Sequence, residues 1–520
     1  MSPCRLGLFV VGAVAVAGCA SAAEPVIVTS QVAPSTTAMA LDDSTTTSTT
    51  PATLPATDDT ASIVDVPALE WQMAGGGIEE AYMPVPLDYD DPTGEMIDIY
   101  VARFPARDPD QRIGSLLVNP GGPGFGGSDL AFYADQIYDS ALLDVFDVIG
   151  WDPRGTGWST PTIDCIDDYD PYFAEIDITP EDQGERNDLV ARAQEFADLC
   201  VSENPGLWSK VGTNNSARDI DWLRRALGEN TITYFGFSYG SELGATWATM
   251  FPETVRAAVL DGAADPDADS LESSLQQLEG FENSLTTFLA RCSSRQACAF
   301  HNGGDAEGAF DDLMVSLDDD PVPTSPGRPD ANLAVAINGV IEAMYSEYYW
   351  PQLENALASA ANGDGRGLLA LHDSYFQRQN DGSYGNELEA FQTISCADSD
   401  ERASVDEENE LVEAYRAVAP RLVPEGSSGS YFCTFFPTAG DPRVEITGAG
   451  AGPIVVIGTT GDPATPLEST RAMADTLEDG RLVVVEADQH TGYGLNQCVI
   501  DVVNDYLIDL TPPADDTECD

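Results

Sequence analysis

The stretch Thr231–Met250, TITYFGFSYGSELGATWATM, decides how the rest of the chain is read. Thr231 to Phe235 is a short run of β-branched and aromatic residues, the composition of a buried strand. It runs into Gly236-Phe237-Ser238-Tyr239-Gly240, and a helix-compatible segment follows. Strand, sharp turn and helix is the setting in which G-x-S-x-G acts as a nucleophile elbow. The glycines are needed there because the serine backbone is strained, and a Cβ at either flank would strike the adjoining strand or helix. The chain has 46 glycines, so the bare pattern says little, and a glycine-rich turn with an incidental serine is the competing reading. The flanking strand and helix, together with the lack of a second G-x-S-x-G in 520 residues, favour the elbow.

A serine hydroxyl is a weak nucleophile near neutral pH. It needs a base within hydrogen-bond reach and a carboxylate to orient that base. Three histidines are available. His301 lies in His-Asn-Gly-Gly-Asp just past Cys292 and Cys298 and reads as part of a surface loop. His372 sits inside the helical run 368–376 and reads as a packing or surface residue. His490 follows a late apolar strand, in the short polar loop Ala487-Asp-Gln-His-Thr-Gly492, where a base would face the elbow. Asp462 follows the preceding strand, 453–458, in the same way. Asp488 is the other carboxylate nearby, but two residues from His490 it is hard to aim at the ring. Ser238, Asp462 and His490 come in the chain order of an α/β-hydrolase triad. The scattered histidines and the absence of H-E-x-x-H argue against a metal as catalyst, and no cofactor motif is found.

Upstream, 78–86 and 96–104 alternate as a hairpin around Asp90-Asp-Pro-Thr-Gly94. The strand 113–118 then enters Asn119-Pro-Gly-Gly-Pro-Gly-Phe-Gly-Gly-Ser128. Such a loop permits close backbone approach and exposes amide N–H groups, as an oxyanion hole after the third strand requires. The expected donors are the N–H groups of Gly122 and Tyr239. A phosphate cradle is the alternative, but no G-x-x-x-x-G-K-[ST] is present. Another buried-type strand, 145–150, precedes Trp151-Asp-Pro-Arg-Gly155, where Asp152 and Arg154 are expected to pair with each other or with backbone. From 267 to 440 strands give way to helical patterns such as 271–291, 332–349 and 352–361. An insertion after the strand that follows the elbow reads as a lid over the catalytic face, with an independent helical domain as the alternative. The resulting division is a first core part at 66–266, a mainly helical cap at 267–440 and a C-terminal core part at 441–520.

Composition supplies the address. Lys and Arg total 23 against 88 Asp and Glu, a formal charge of −65, and Lys210 is the one lysine. Such a field repels phosphate backbones, so nucleic acid is excluded as a partner. Acidity with arginine in place of lysine fits a protein kept soluble in salty water. Added salt should then raise its unfolding midpoint by screening self-repulsion, and a midpoint flat from low to high salt in thermal unfolding would overturn that reading. Residues 1–18 form an export signal, with Arg5 and a short apolar run ending in Val16-Ala-Gly-Cys19, so that Cys19 is a lipidation site. Cleavage after Ala20-Ser-Ala22, giving a freely secreted protein, is the alternative. Residues 19–65 then read as a Thr/Ser/Pro-rich tether with a root-mean-square reach of roughly 35 Å, holding the folded part off the membrane.

From 66 to 520 the chain resembles the tripeptidyl aminopeptidase group of secreted actinobacterial α/β-hydrolases, relatives of the proline iminopeptidases. The resemblance rests on Asn119-Pro-Gly-Gly-Pro-Gly124, Asp152-Pro-Arg-Gly155, Gly236-Phe-Ser-Tyr-Gly240 with Leu260-Asp-Gly262, Gly461-Asp-Pro-Ala-Thr-Pro466 and the spacing of the last two cysteines. It implies a serine exopeptidase acting on the free N-termini of peptides or proteins beneath a helical cap, with Ser238 as nucleophile, Asp462 as orienting carboxylate and His490 as base. Asn119 stands where proline iminopeptidases carry histidine, which weakens the link to proline specificity. The resemblance and sequence neighbourhood together point to the disulfides Cys165–Cys200, Cys292–Cys298, Cys396–Cys433 and Cys498–Cys519, as expected of an exported chain. A carboxylesterase or lipase on the same fold, and a lipoprotein that only binds a partner, are the other readings, because fold and triad do not fix the leaving group.

Overall fold

The computed structural model describes residues 65–520; the export signal, Cys19 and all but the last residue of the tether lie outside it. One ten-stranded mixed sheet organises the chain. Strands β1 (Gln72–Gly75), β2 (Ile78–Pro86) and β3 (Met96–Phe104) form an antiparallel meander at one edge, and β3 pairs antiparallel with β5 (Phe146–Trp151). The remainder is parallel: β5, β4 (Gly114–Asn119), β6 (Ile232–Phe237), β7 (Val255–Asp261), β8 (Ile454–Thr459), β9 (Gly480–Val485) and β10 (Thr517–Cys519), in that spatial order.

The order β5-β4-β6 contains the switch point. β4 connects outward to β5 on one side, while its other neighbour, β6, leads on to β7 in the opposite direction. Loops leaving the carboxyl ends of the two central strands therefore diverge and open a crevice, where ligands bind in sheets of this kind. Asn119 pairs in register with Gly236, so the glycine loop and the elbow leave the sheet side by side.

Both faces of the central parallel strands are covered, which is why β4 and β8 are buried at every residue. In β8, Ile454 and Val456 join one core with Tyr234, Leu243 and Trp247, whereas Val455 and Ile457 join the opposite core with Phe235 and Val503. The helices that do this covering come from the crossovers. Short helices α1 (Ser128–Phe132), α2 (Ala134–Ile137) and α3 (Ser140–Val145) connect β4 to β5. Helices α4 (Gln183–Glu203) and α5 (Thr213–Ala226) precede β6, and α6 (Tyr239–Met250) follows it. Helices α14 (Leu467–Thr476) and α15 (Gln497–Asp509) belong to the last part of the chain, where Cys498–Cys519 ties α15 to the short edge strand β10.

Between β7 and β8 lie seven helices: α7 (Ser270–Ser294), α8 (Ala306–Asp319), α9 (Leu333–Met344), α10 (Trp350–Ala360), α11 (Arg366–Tyr375), α12 (Glu387–Asp398) and α13 (Val405–Val418). They bury a core of their own around Phe288, Phe310, Val340, Leu357 and Leu371. Yet they are not independent of the sheet. Asn386 donates from Nδ2 to the carbonyls of Gly155 and Ile163, 2.9 Å each, and Glu389 accepts from the amides of Cys165 and Ile166. Burial raises the Glu389 carboxyl to about 7, against the pull of those amides. Disulfides Cys292–Cys298 and Cys396–Cys433 lie within the insertion, and Cys165–Cys200 pins the segment before α4 to that helix.

The single helix read at 332–349 is in fact broken. α9 stops at Met344, Ser346 is extended (φ −154°, ψ 140°), and a short 3-10 turn, Glu347–Tyr349, follows with the Ser346 hydroxyl accepting from the Tyr348 amide. A serine that satisfies the next turn's N–H competes with helix continuation, and here the break leaves the Tyr345 carbonyl available to another loop.

Candidate active site

Ser238 occupies the turn between β6 and α6 with φ 54° and ψ −127°, a conformation disfavoured for a residue with a side chain. The flanking glycines make it possible. A Cβ on Gly236 would lie 2.1 Å from the Gly240 carbonyl oxygen, and one on Gly240 would lie 2.8 Å from that of Asn119. The Ser238 amide donates to the Asp261 carbonyl at the end of β7 (2.8 Å), which fixes the elbow against the next strand.

His490 lies in the loop after β9. Its Nδ1 is 2.8 and 2.9 Å from the two carboxylate oxygens of Asp462, in the loop after β8. Asp462 is itself held by the amides of Ala464 (3.0 Å), Thr465 (2.8 Å) and Thr491 (3.2 Å). With Nδ1–H donated to this carboxylate, the ring's other nitrogen, Nε2, presents a lone pair; it is buried and has no hydrogen-bond partner. Burial of the ring opposes protonation, but the Asp462 charge and hydrogen bond, with Asp261 behind, outweigh it and raise the His490 pKa. The Thr465 hydroxyl lies 3.3 Å from the same Nδ1.

Asp261 joins the two halves. Its carboxylate accepts from the amides of Gly492 (2.8 Å) and Tyr493 (2.7 Å), while its carbonyl receives the Ser238 amide. Burial, partly offset by those amides, pushes the Asp261 carboxyl up to about 7. Gly262 follows at φ +72°, and a Cβ there would lie 2.9 Å from Cε1 of His490, so nothing larger fits beneath the ring. The motif Leu260-Asp-Gly262 was visible in the sequence, but its task of tying the elbow to the histidine loop was not.

The glycine loop lies against the elbow. A Cβ on Gly121 (φ +101°) would meet the Phe237 carbonyl oxygen at 2.5 Å and the Ser238 Cβ at 2.8 Å. The same Gly121 Cβ would lie 3.0 Å from the Tyr239 amide nitrogen, so the loop that carries Gly122 packs on the start of α6. Asn119 accepts from the Gly121 amide through Oδ1 (3.0 Å), which shapes the loop where it leaves β4.

Asp152 and Arg154 do not pair with each other. Asp152 holds the end of the glycine loop, accepting from the amides of Ser128 (2.9 Å) and Trp158 (2.8 Å). Arg154 is fully buried and bound to Asp219 of α5 through Nε (2.7 Å) and Nη2 (2.6 Å). It also donates to the carbonyls of Pro86, Leu87 and Lys210. The two side chains diverge because each is claimed by a different set of buried backbone groups. Of the remaining candidates, His372 is buried in α11, its pKa lowered to about 4 by burial, and His301 packs with Nδ1 3.1 Å from the Cys292 carbonyl. Asp488 pairs with Arg291 rather than with the imidazole. The insertion reaches the site: the Tyr345 carbonyl accepts from the His490 amide (2.9 Å), and the two rings meet edge-on with centroids 5.7 Å apart.

Comparison with known proteins agrees with this architecture. The profile of the alpha/beta hydrolase fold matches residues 114–497, so the chain belongs to that family. Over 465 residues, covering 85% of this chain and 88% of the relative, it is 33% identical to serine protease Hip1 of Mycobacterium tuberculosis. It is 36% identical over 455 residues to carboxylesterase B of the same species, covering 84% and 86% of the two chains. Tripeptidyl aminopeptidase of Streptomyces lividans is 28% identical over 470 residues, covering 87% and 85%. The protein is a serine hydrolase of the group to which these peptidases belong.

Proposed function

We propose that Ser238 attacks the scissile carbonyl, that His490 takes its proton through Nε2, and that Asp462 holds the imidazole in the required tautomer. The developing oxyanion is received by the N–H groups of Gly122 and Tyr239. An acyl-enzyme forms, His490 returns the proton to the leaving amine, and water, deprotonated by the same base, releases the acid. The observation that carries this reading is the His490 geometry: Nδ1 engaged by a carboxylate held by three amides, and Nε2 buried without a partner in a loop that Asp261 ties to the elbow.

The substrate is a peptide or protein with a free N-terminus, bound beneath a cap formed by residues 267–440. The 28% identity to a tripeptidyl aminopeptidase supports this, as does a carboxylate suited to an ammonium group. Glu342 of α9 accepts from the Ser374 hydroxyl (2.6 Å), pairs with no basic side chain among the described residues, and has its pKa raised by burial. Tyr345, which packs on His490, feels its charge, as do Tyr349 and Tyr375. A carboxylate among aromatic rings is a good host for an ammonium ion. The four disulfides support export, with anchoring at Cys19; no helix among the described residues is long and apolar enough to cross a membrane.

The test compares a tripeptide arylamide bearing a free amine with its N-acetylated twin. Wild-type enzyme should release chromophore only from the free-amine substrate. Glu342→Gln should lose on the order of a hundredfold in kcat/KM toward it, mostly through KM, the scale of a hydrogen bond to a charged group. A second reading, an esterase, is favoured by the 36% identity to carboxylesterase B. It would be supported if neither arylamide is cut while short acyl esters are.

A further inference from the structure

Helix α12 of the insertion touches the glycine loop near its start and the first residue of α5 at its end. Near its start, Gly124 lies so close that a Cβ there would be 2.3 Å from the Glu387 carbonyl oxygen and 2.6 Å from the Phe391 amide. At its end, Asp398 accepts from both the amide and the hydroxyl of Thr213, 2.6 Å each. Thr213 is the first residue of α5, whose own N-cap, Gly212, offers no side chain, so the helix terminus is capped by a carboxylate from the insertion. The Thr213 hydroxyl is in turn 2.5 Å from the Tyr239 hydroxyl. A hydroxyl chain thus runs from Asp398 through Thr213 to the residue that follows the nucleophile.

We infer that Asp398 is a positioning residue for hydrolysis: through Thr213 it fixes Tyr239 and with it the backbone N–H that receives the oxyanion, so turnover depends on Asp398 being ionised. This rests on the assignment of Ser238, His490 and the Tyr239 amide given above. As a carboxylate, Asp398 accepts two protons from Thr213, which leaves the threonine oxygen free to accept from Tyr239. Once protonated, it becomes a donor to Thr213. The threonine must then turn its own proton toward Tyr239, which loses its acceptor.

The groups facing this chain are few. Glu242 of α6 pairs with Arg443, which precedes β8, and both lie within the field of Asp398 and Tyr239; Tyr234 of β6 faces Tyr239 from the sheet side. Burial foremost, with Glu242 adding to it and Thr213 and Arg443 opposing it, raises the Asp398 carboxyl to about 7. The switch therefore falls near neutral pH.

The experiment measures kcat and KM for p-nitrophenyl acetate, an uncharged substrate that needs no amine anchor, between pH 5 and 9. Sites are counted with a fluorophosphonate probe, so only folded enzyme contributes. Wild-type log kcat should steepen at acid pH toward a slope of about two, because His490 and Asp398 must both be deprotonated. Asp398→Asn should reduce the slope to about one and lower kcat roughly tenfold at pH 8 with KM unchanged, a fraction of what losing an oxyanion donor costs. Thr213→Val should show the same loss in kcat, and Thr213→Ser should restore it. If Asp398→Asn does not fold, the Thr213 pair decides the matter. Unchanged kcat and slope in these variants would overturn the inference while the triad stands. A wild-type enzyme inert toward both ester and probe would instead overturn the triad assignment, and the positioning role with it.

Discussion

Ser238→Ala should lower kcat by about a million-fold on ester and arylamide alike, the scale seen when a triad serine is removed. The fold should survive the change. Alanine at φ 54° suffers the same backbone strain as serine, and that strain is met by Gly236, Gly240 and the bond from the residue's amide to Asp261. What disappears is the hydroxyl that attacks the carbonyl. Asp462→Asn should cost about ten thousand-fold, because an amide donating to Nδ1 would force the proton onto Nε2 and remove the base. Steady-state kinetics with thermal unfolding in parallel checks both. Turnover of Ser238→Ala within tenfold of wild type, with an unchanged melting temperature, would sink the assignment.

The residues behind this prediction were legible because each is announced by local rules. An elbow needs small flanks and a strand-to-helix context, both written within twenty residues of Ser238. A base and its carboxylate must follow late strands, and three histidines left little choice. Strands buried on both faces are continuous apolar runs, so β4, β5, β6 and β8 fall within a residue or two of where the sequence places them. Edge strands β1 and β10 carry too few residues to show a period. What sequence could not show was partnership across long separations. Asp261 reaching Gly492, Asp398 reaching Thr213 and Tyr345 reaching His490 are contacts fixed by tertiary packing, and no spacing rule announces them. For Asp152 and Arg154 the backbone alternative is the one realised, and Asp219 as the further partner of Arg154 comes from the same long-range packing. Neighbouring opposite charges suggest a pair, yet the turn sends each toward a different set of buried backbone groups.

That divergence gives the second large effect. Arg154→Met should destabilise the fold by about 3–5 kcal/mol, the cost of stranding a buried charge. Asp219 is 1% exposed, and Arg154 supplies both of its charge-assisted bonds; the Tyr89 hydroxyl, at 2.7 Å, would be its one remaining side-chain donor. The carbonyls of Pro86, Leu87 and Lys210 would lose a donor as well. Because the penalty comes from the orphaned carboxylate more than from a lost attraction, Arg154→Met combined with Asp219→Leu should recover a large part of it. Urea unfolding of the three proteins measures this directly. The guanidinium touches neither Ser238, Asp462 nor His490, so turnover per probe-labelled site should stay at the wild-type value while the unfolding midpoint falls. A midpoint that stays put in Arg154→Met would mean the pair does not hold α5 to the hairpin end of the sheet. A fall in turnover per site with the midpoint intact would place Arg154 in the chemistry, where its burial and its partners give it no access.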